Sequence, residues 1–189
     1  MPQAKTLKIV ELEQVLKSVS GGRYSSRDRA MVLLSFWSGM RVGEIAAIKI
    51  SDVLSADGKI KEEIRLKPEQ TKGDKGRTVM IGSRLNQELA IYVATIPIKN
   101  LNAPLFFSQK SNASFNPNAL AQKFRRMFEK AGIDGATSHS GRRTFITQLA
   151  SKGIGVRVLQ SLAGHRSIAT TQLYIDVNDE MKRQAVNMI

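Results

Sequence analysis

Apolar residues recur at helical spacing along most of this sequence, and one block interrupts the pattern. The spacing is clear in "LKIVELEQVLKSV" at residues 7–19, and similar segments follow at residues 24–39, 83–96 and 118–130. The interrupting block, "KIKEEIRLKPEQTKGDKGRTVMIG", has turn residues in "KGDKG" at its centre, which predicts two or three short strands. We therefore predict a mainly α (α+β) fold, a single helical domain with a small antiparallel β-sheet near residues 60–80.

Length and composition limit the domain organisation and the cellular setting. With 189 residues, no internal repeat and no linker-like segment, the sequence fits one domain over residues 1–189. The absence of cysteine excludes a disulfide framework and a thiol nucleophile. No apolar stretch reaches the roughly 18–20 residues of a membrane span, and the N-terminus does not resemble a signal peptide. We expect a cytoplasmic protein.

The charge balance indicates the partner. Lys and Arg number 29 against 16 Asp and Glu, so the net charge is +13 and the isoelectric point is near 10.3. Such a basic chain attracts a polyanion, and an isoelectric point above about 9 is typical of nucleic-acid-binding domains. An inert basic surface and a ribosomal or chaperone partner are the alternatives. A membrane surface is disfavoured, because no segment combines a basic face with a broad apolar one.

Two separate segments carry arginines suited to binding a phosphate. In "SHSGRRTF", His139 and Arg142 are three residues apart at a predicted helix start, where unpaired N–H groups favour an anion. Arg41 opens another helix in "RVGEI", and Glu44 at i+3 is placed to orient its guanidinium group. Two planar guanidinium groups can grip the oxygens of one phosphate, as lysine cannot. The alternative is two ordinary helix starts whose charged residues face solvent.

The remaining chemistry centres on "GHRSIATTQLYI", residues 164–175, in which His165 and Tyr174 are nine residues apart (174 − 165). The carboxylate clusters of two-metal nucleases are missing, so we expect a site without metal or other cofactor. Metal-free attack on a phosphodiester requires a side-chain nucleophile and arginines that neutralise charge. Tyr174 is the leading candidate, and half-buried packing at a helix edge is its alternative. Tyr92 shares the apolar face of its helix and is expected in the core.

In this order along the chain, the motifs resemble the catalytic domain of the tyrosine recombinases, the phage integrase and Xer-like family. The resemblance covers roughly residues 5–180. It is carried by Arg41 in "SGMRVGEI", Lys72 in "TKGDKGR", "H-x-x-R" at 139–142, "GH" at 164–165, and Tyr174.

The resemblance implies a role for each of these residues. Arg41 and Arg142 clamp the scissile phosphate, with Glu44 in support of Arg41, while His139 and His165 hydrogen-bond the phosphate and assist proton transfer. In turn, Lys72 protonates the departing 5′ oxygen and Tyr174 attacks phosphorus to give a 3′-phosphotyrosine. Other basic residues are expected to contact DNA, namely Lys67, Lys75, Arg77, Arg143 and Arg166.

The same resemblance predicts the activity and the partners. We expect a site-specific DNA recombinase that acts on double-stranded DNA as a homo-oligomer, a tetramer in synapsis and a monomer or dimer when free. The expected setting is a bacterial, phage or plasmid recombinase associated with the nucleoid. A type IB topoisomerase-like relaxing enzyme and a DNA-binding regulator without strand exchange are the alternatives.

Three features depart from the family pattern or extend it. The chain has essentially nothing before residue 7, so the N-terminal core-binding domain is expected to be absent, as in short fimbrial-invertase-type members, and an accessory DNA-binding protein is expected. Gly141 stands where leucine is common and is expected to loosen packing. An apolar stripe near the C-terminus is expected to dock either in a neighbouring protomer or on its own domain, and comprises Met181, Ala185, Val186 and Ile189.

Overall fold

The computed structural model describes residues 4–71, 75–109 and 113–175, together with positions 183, 186 and 187. Its helices are α1 (Ile9–Val19), α2 (Ser25–Ser38), α3 (Val42–Ala47), α4 (Ile50–Val53), α5 (Ser83–Val93), α6 (Pro117–Lys130), α7 (Ser140–Ser151), α8 (Val156–Ala163) and α9 (Ile168–Gln172). Strands β1 (Glu63–Leu66) and β2 (Arg77–Met80) and a 3-10 turn (Pro68–Gln70) complete the described elements. The mainly helical α+β prediction is confirmed.

Helix α2 forms the centre of the molecule. Its apolar run from Met31 to Leu34 is fully buried, and the helix packs against α1, α3, α5 and α7. Burial of each leucine or valine side chain in such a core contributes about 1.5–3 kcal/mol. Tyr92 is also buried, as predicted, and its ring stacks on Phe106 with centroids 5.2 Å apart. The central position of α2 makes its C-terminal end a rigid base for the residues that follow.

The strand-like block folds as an antiparallel pair, in agreement with the prediction. Glu63 pairs with Met80 and Leu66 with Arg77, so the two four-residue strands are in register along their full length. Ile64, Leu66 and Val79 are buried, which fixes the face of the hairpin that packs on the helical core. The pairing places Arg77 on the strand that returns from the hairpin tip.

Two helices, α2 and α8, end at glycines in the left-handed backbone conformation. Gly39 (φ 64°) is the C-cap of α2, and Gly164 (φ 60°) is the C-cap of α8. Glycine takes this conformation without the steric cost that a Cβ atom adds. Both turns leave helix-terminal carbonyl groups available to accept hydrogen bonds from side chains.

Gly141 brings α7 into close contact with α2, rather than loosening the packing as we expected. A Cβ atom at this position would lie 2.8 Å from Ser35 Cβ and 2.9 Å from Phe36 Cδ2, and it would clash with Ser35 Oγ. Since real Cβ atoms do not approach neighbours so closely, only glycine fits this helix–helix contact without rearrangement. The missing side chain therefore tightens the α2–α7 contact.

Two further observations concern the described residues only. Within this part of the chain, no helix has the length and apolar character required to cross a membrane. Of the C-terminal stripe, Met181, Ala185 and Ile189 lie outside the described residues, whereas Val186 is described and exposed.

Candidate active site

The Arg142 side chain forms hydrogen bonds with the C-terminal ends of two helices. It is the third residue of α7 and only 4% exposed. Its Nη1 donates a hydrogen bond to the Gly39 carbonyl at 2.8 Å, and its Nη2 donates one to the Ala163 carbonyl at 2.5 Å. These carbonyls lie at the C-terminal ends of α2 and α8, where helix dipoles are negative and favour a cation. The guanidinium plane of Arg142 is therefore fixed by two structural elements that are distant in sequence.

Arg41 is oriented by Glu44, as its i+3 spacing suggested. Its backbone N–H donates to Glu44 Oε2 at 2.7 Å, and its Nη1 donates to Oε1 at 2.8 Å. Its Nη2 also donates to the Gly164 carbonyl at 3.2 Å. Glu44 is only 1% exposed, whereas the Arg41 side chain is 25% exposed. One end of the ion pair is thus anchored inside the protein, and the other reaches the surface.

Arg77 completes an arginine cluster, which we define as Arg41, Arg77 and Arg142 around Glu44. Its Nε and Nη2 donate to the two Glu44 oxygens at 3.1 and 2.8 Å, and its Nη1 donates to the Leu162 carbonyl at 2.9 Å. This environment differs from the exposed DNA contact that the sequence suggested.

The cluster carries more positive than negative charge. Three guanidinium groups around one carboxylate leave a surplus of two positive charges in a poorly solvated region. Burial, followed by the charges of Arg41 and Arg77, lowers the pKa of Arg142 to about 9, so the group remains protonated near neutral pH. Burial opposes ionisation of Glu44, but hydrogen bonds and charges from Arg77 and Arg41 outweigh it and lower the pKa of Glu44. Such a surplus favours a bound anion.

His165 and Tyr174 lie side by side next to this cluster. Their rings stack with centroids 5.6 Å apart and planes inclined by 22°. Burial, followed by the charges of Arg142, Arg41 and Arg77, lowers the pKa of His165 to about 4, so its imidazole is neutral near pH 7. A neutral imidazole has one N–H donor and one acceptor nitrogen, which suits hydrogen bonding and proton transfer. Of the two readings of "GHRSIATTQLYI", the contact between these rings favours the shared site.

Tyr174 lies beyond the end of α9, which stops at Gln172. Its side chain is half-buried, and the guanidinium carbon of Arg143 is 5.5 Å from its ring centroid. Arg143 is itself held by a 3.1 Å hydrogen bond from Nε to Thr6 Oγ1. Arg143 therefore contacts the ring of Tyr174 within the protein, which the sequence did not indicate.

Thr171 is a site residue that the sequence analysis missed. It is fully buried, and its Oγ1 lies 2.9 Å from His165 Nδ1, within hydrogen-bond distance. The contact holds the imidazole ring in one orientation beside Tyr174. The sequence did hold one indication of this role, because Thr171 and Tyr174 are three residues apart and so lie on the same side of a helical turn.

A cleft of about 430 Å³ opens beside Arg41, Arg77 and the turn before α9. Its lining brings together several residues that the sequence singled out, namely Arg41, Lys75, Arg77, His165 and Arg166, together with Thr71, Gly76 and Gly164. The hairpin and the α8–α9 turn thus face one another across a basic opening.

Other predicted site residues lie apart from this cleft or outside the described residues. His139 is the exposed N-cap of α7, three residues before Arg142. Lys67 is exposed and lines a different hollow, together with Asp52 and Glu69. Lys72 lies outside the described residues.

Comparison with known proteins shows the family of this chain. Residues 5–181 match the sequence profile of the phage integrase family, so the chain belongs to that family. A tyrosine recombinase XerA from Pyrococcus furiosus is 32% identical over 163 residues, which cover 85% of this chain and 54% of that protein. A crystal structure of XerA recombinase aligns with a TM-score of 0.76 at 28% identity, over 100% of this chain and 66% of that one.

A structure with DNA bound is also similar. The post-cleavage complex of the XerH site-specific recombinase on a palindromic difH substrate has a TM-score of 0.72 and 26% identity, over 96% of this chain and 51% of that one. The chain spans 54–59% of the length of the first curated relatives that it matches. The resemblance to the catalytic domain of tyrosine recombinases is confirmed.

Proposed function

We propose that this chain is a site-specific DNA recombinase that cuts and rejoins DNA through a covalent 3′-phosphotyrosine, without metal or ATP. The observation that carries the proposal is the stacking of Tyr174 on His165 beside the arginine cluster. A phosphate seated in the cleft would lie near Arg41 and His165, and the Tyr174 ring stacks on His165. Tyr92 is in the core, and Tyr24 lies at the end of α2 opposite to Gly39.

In the proposed reaction, Tyr174 Oη gives its proton to the neutral imidazole of His165, attacks the phosphorus atom and forms a phosphotyrosine bond. The bond from phosphorus to the 5′ oxygen breaks, and that oxygen leaves as a hydroxyl after it takes up a proton. Arg41 and Arg142 neutralise charge that builds on the non-bridging oxygens, which is usually the largest electrostatic contribution in such reactions. Religation is the reverse step with a 5′ hydroxyl from the partner strand, so no bond energy is lost.

The proton transfers are assigned to the histidines and to Lys72. The neutral imidazole of His165 next to Tyr174 and the N-cap position of His139 three residues before Arg142 both suit hydrogen bonds to a phosphate. Lys72 is proposed as the acid that protonates the leaving 5′ oxygen. Lys75, three residues further along the sequence, lines the cleft. DNA contacts are proposed for Lys67, Lys75, Arg143 and Arg166.

Assembly on DNA is part of the proposal. Strand exchange needs two DNA sites and four protomers that each cut one strand, so we propose a tetramer in synapsis, with a monomer or dimer in the free state. We also propose that an accessory DNA-binding protein contributes affinity. We propose that the protein acts in the bacterial cytoplasm, associated with the nucleoid, and that it is encoded by a bacterium, a phage or a plasmid.

The decisive experiment is a trapping assay with nicked duplexes. Duplexes selected from a randomised pool by binding to the protein are nicked next to each candidate position, so that cleavage releases a short fragment and prevents religation. We expect an SDS-stable protein–DNA complex that forms in EDTA. Tyr174→Phe should abolish the complex, whereas Tyr24→Phe, a matched control far from the cleft, should retain it.

Other outcomes separate the competing functions. A complex that persists in Tyr174→Phe contradicts the assignment of the nucleophile, and dependence on a divalent cation contradicts the metal-free reaction. Relaxation of supercoiled plasmid without recombinant product indicates a topoisomerase-like enzyme. Specific binding without any covalent complex indicates a DNA-binding regulator.

A further inference from the structure

Arg77 has an environment suited to organising the site, as opposed to contacting DNA. Each of its three side-chain nitrogen atoms donates to an acceptor within the protein, two to Glu44 and one to the Leu162 carbonyl. The side chain is 9% exposed, compared with 25% for Arg41. All three nitrogen atoms of Arg77 are thus engaged with protein acceptors, although the side chain also lines the cleft.

The two acceptors of Arg77 belong to the parts of the site that must be aligned. Glu44 Oε1 accepts from both Arg77 Nε and Arg41 Nη1, and Oε2 accepts from Arg77 Nη2 and the Arg41 backbone. Arg77 therefore fixes the carboxylate that orients Arg41.

The other acceptor lies at the end of α8. Leu162, Ala163 and Gly164 present three successive carbonyl groups, which accept from Arg77, Arg142 and Arg41 respectively. Each arginine of the cluster thus has one donor on the same helix terminus. The next residue along the chain is His165, so the position of this terminus sets the position of the imidazole.

The aliphatic part of Arg77 supports the same turn. A Cβ atom at Gly164 would lie 2.5 Å from Arg77 Cδ, so the side chain packs directly against the glycine that precedes His165. Close packing and hydrogen bonds together restrict the turn from both sides.

We propose that Arg77 is a positioning residue for strand cleavage, which holds Glu44 against Arg41 and fixes the α8 terminus beneath His165. This inference rests on the proposed recombinase function. Arg77 itself contacts neither the phosphate nor the nucleophile, and it acts through Glu44 and the Leu162–His165 turn.

The test is Arg77→Lys, which keeps the positive charge beside Glu44 but loses the forked geometry. Single-turnover cleavage of a nicked duplex is measured at saturating protein, and DNA affinity is measured separately as a function of salt. We expect cleavage to slow by about 10- to 100-fold, because misalignment of about 1 Å has effects of that order. Affinity should stay within about threefold, with an unchanged salt dependence.

Two control variants define the contrast. Arg65→Lys changes an arginine of the same hairpin that is 83% exposed and paired with Glu63, and it should behave as the wild type. Lys75→Gln removes an exposed charge from the cleft rim, and it should lower the slope of log affinity against log salt by about 0.9 for one lost phosphate contact.

Three results would overturn the inference. If Arg77→Lys lowers the DNA affinity and the salt dependence as loss of a phosphate contact would, but cleaves normally at saturating protein, then Arg77 is a DNA contact. Wild-type cleavage and binding in this variant remove any role. Arg77→Gln is the second variant, and it too should slow cleavage without changing affinity. If circular dichroism shows that neither variant folds, Arg77 is required for the fold and the positioning role is wrong. Absence of a covalent complex with the wild type contradicts the recombinase proposal instead.

Discussion

The arginine cluster and the segment that contains the proposed nucleophile (the nucleophile segment, residues 165–175) lie side by side, but the fold holds them in different ways. Arg142 and Glu44 are almost completely buried, and their partners come from four different elements of the chain. The nucleophile segment contains a helix of only five residues, and Leu173, next to Tyr174, is 64% exposed.

The contrast separates the part of the site that is proposed to bind the phosphate from the part that is proposed to react. A preorganised cationic site needs no rearrangement when the phosphate arrives, which makes its electrostatic contribution large. Segments with few buried contacts have low local stability, so the nucleophile can move relative to the cluster at small cost. We therefore expect changes in the cluster to reduce both stability and rate, and changes in the nucleophile segment to reduce rate alone.

Glu44→Gln should have the largest effect. It removes the counter-charge of Arg77, which is 9% exposed, and of the partly exposed Arg41, and breaking a buried ion pair costs about 3–5 kcal/mol of unfolding free energy. Because the folded pKa of Glu44 is lowered, its contribution is present above the ordinary value of 4.5 and is lost as the pH falls through the folded pKa. Urea unfolding from pH 7 to pH 3 should show a smaller pH dependence in the variant than in the wild type. Equal pH dependence in both proteins would contradict the account.

Arg142→Lys tests the cluster through the rate. Lysine keeps the charge, but its single nitrogen atom does not reproduce the planar fork whose two nitrogen atoms bridge the Gly39 and Ala163 carbonyls. We expect single-turnover cleavage to fall by about 10²–10³-fold, as for loss of one transition-state donor. A decrease of less than tenfold would show that the cluster does not stabilise the reacting phosphate.

Gly141→Ala tests the packing beneath the cluster. The added Cβ would be 2.8 Å from Ser35 Cβ, so we expect a loss of about 1–3 kcal/mol in unfolding free energy. Gly43→Ala is the control, since no atom lies within 4 Å of its added Cβ, and it should be neutral or slightly stabilising. Equal stability of the two variants would mean that α7 and α2 do not need this close approach.

The sequence predicted those parts of the site that depend on local spacing. Arg41 and Glu44 are three residues apart, and their ion pair follows from helix geometry. The partners of Arg77 are 33 and 85 residues away, so no local pattern could distinguish its buried position from an exposed basic residue. Gly141 was misjudged for the same reason, because the space around it is filled by α2.

Thr171→Val tests the nucleophile segment and should have the smallest effect. Valine preserves the shape and removes the hydroxyl group near His165 Nδ1, so the imidazole loses its orientation. We expect cleavage to slow by about tenfold, with an unfolding free energy within about 0.5–1.5 kcal/mol of the wild type. Thr171→Ser keeps the hydroxyl group and should restore the rate. Loss of rate in both variants would point to packing rather than to the hydrogen bond.

The most direct test of the account is the chemical identity of the covalent linkage. The trapped protein–DNA complex is digested with protease and nuclease, and the adduct is located by mass spectrometry. The account predicts a nucleotide attached through a phosphodiester to Tyr174, the residue that stacks on His165 beside the arginine cluster. Attachment to another residue, or the absence of any adduct from a complex that cleaves DNA, would contradict it.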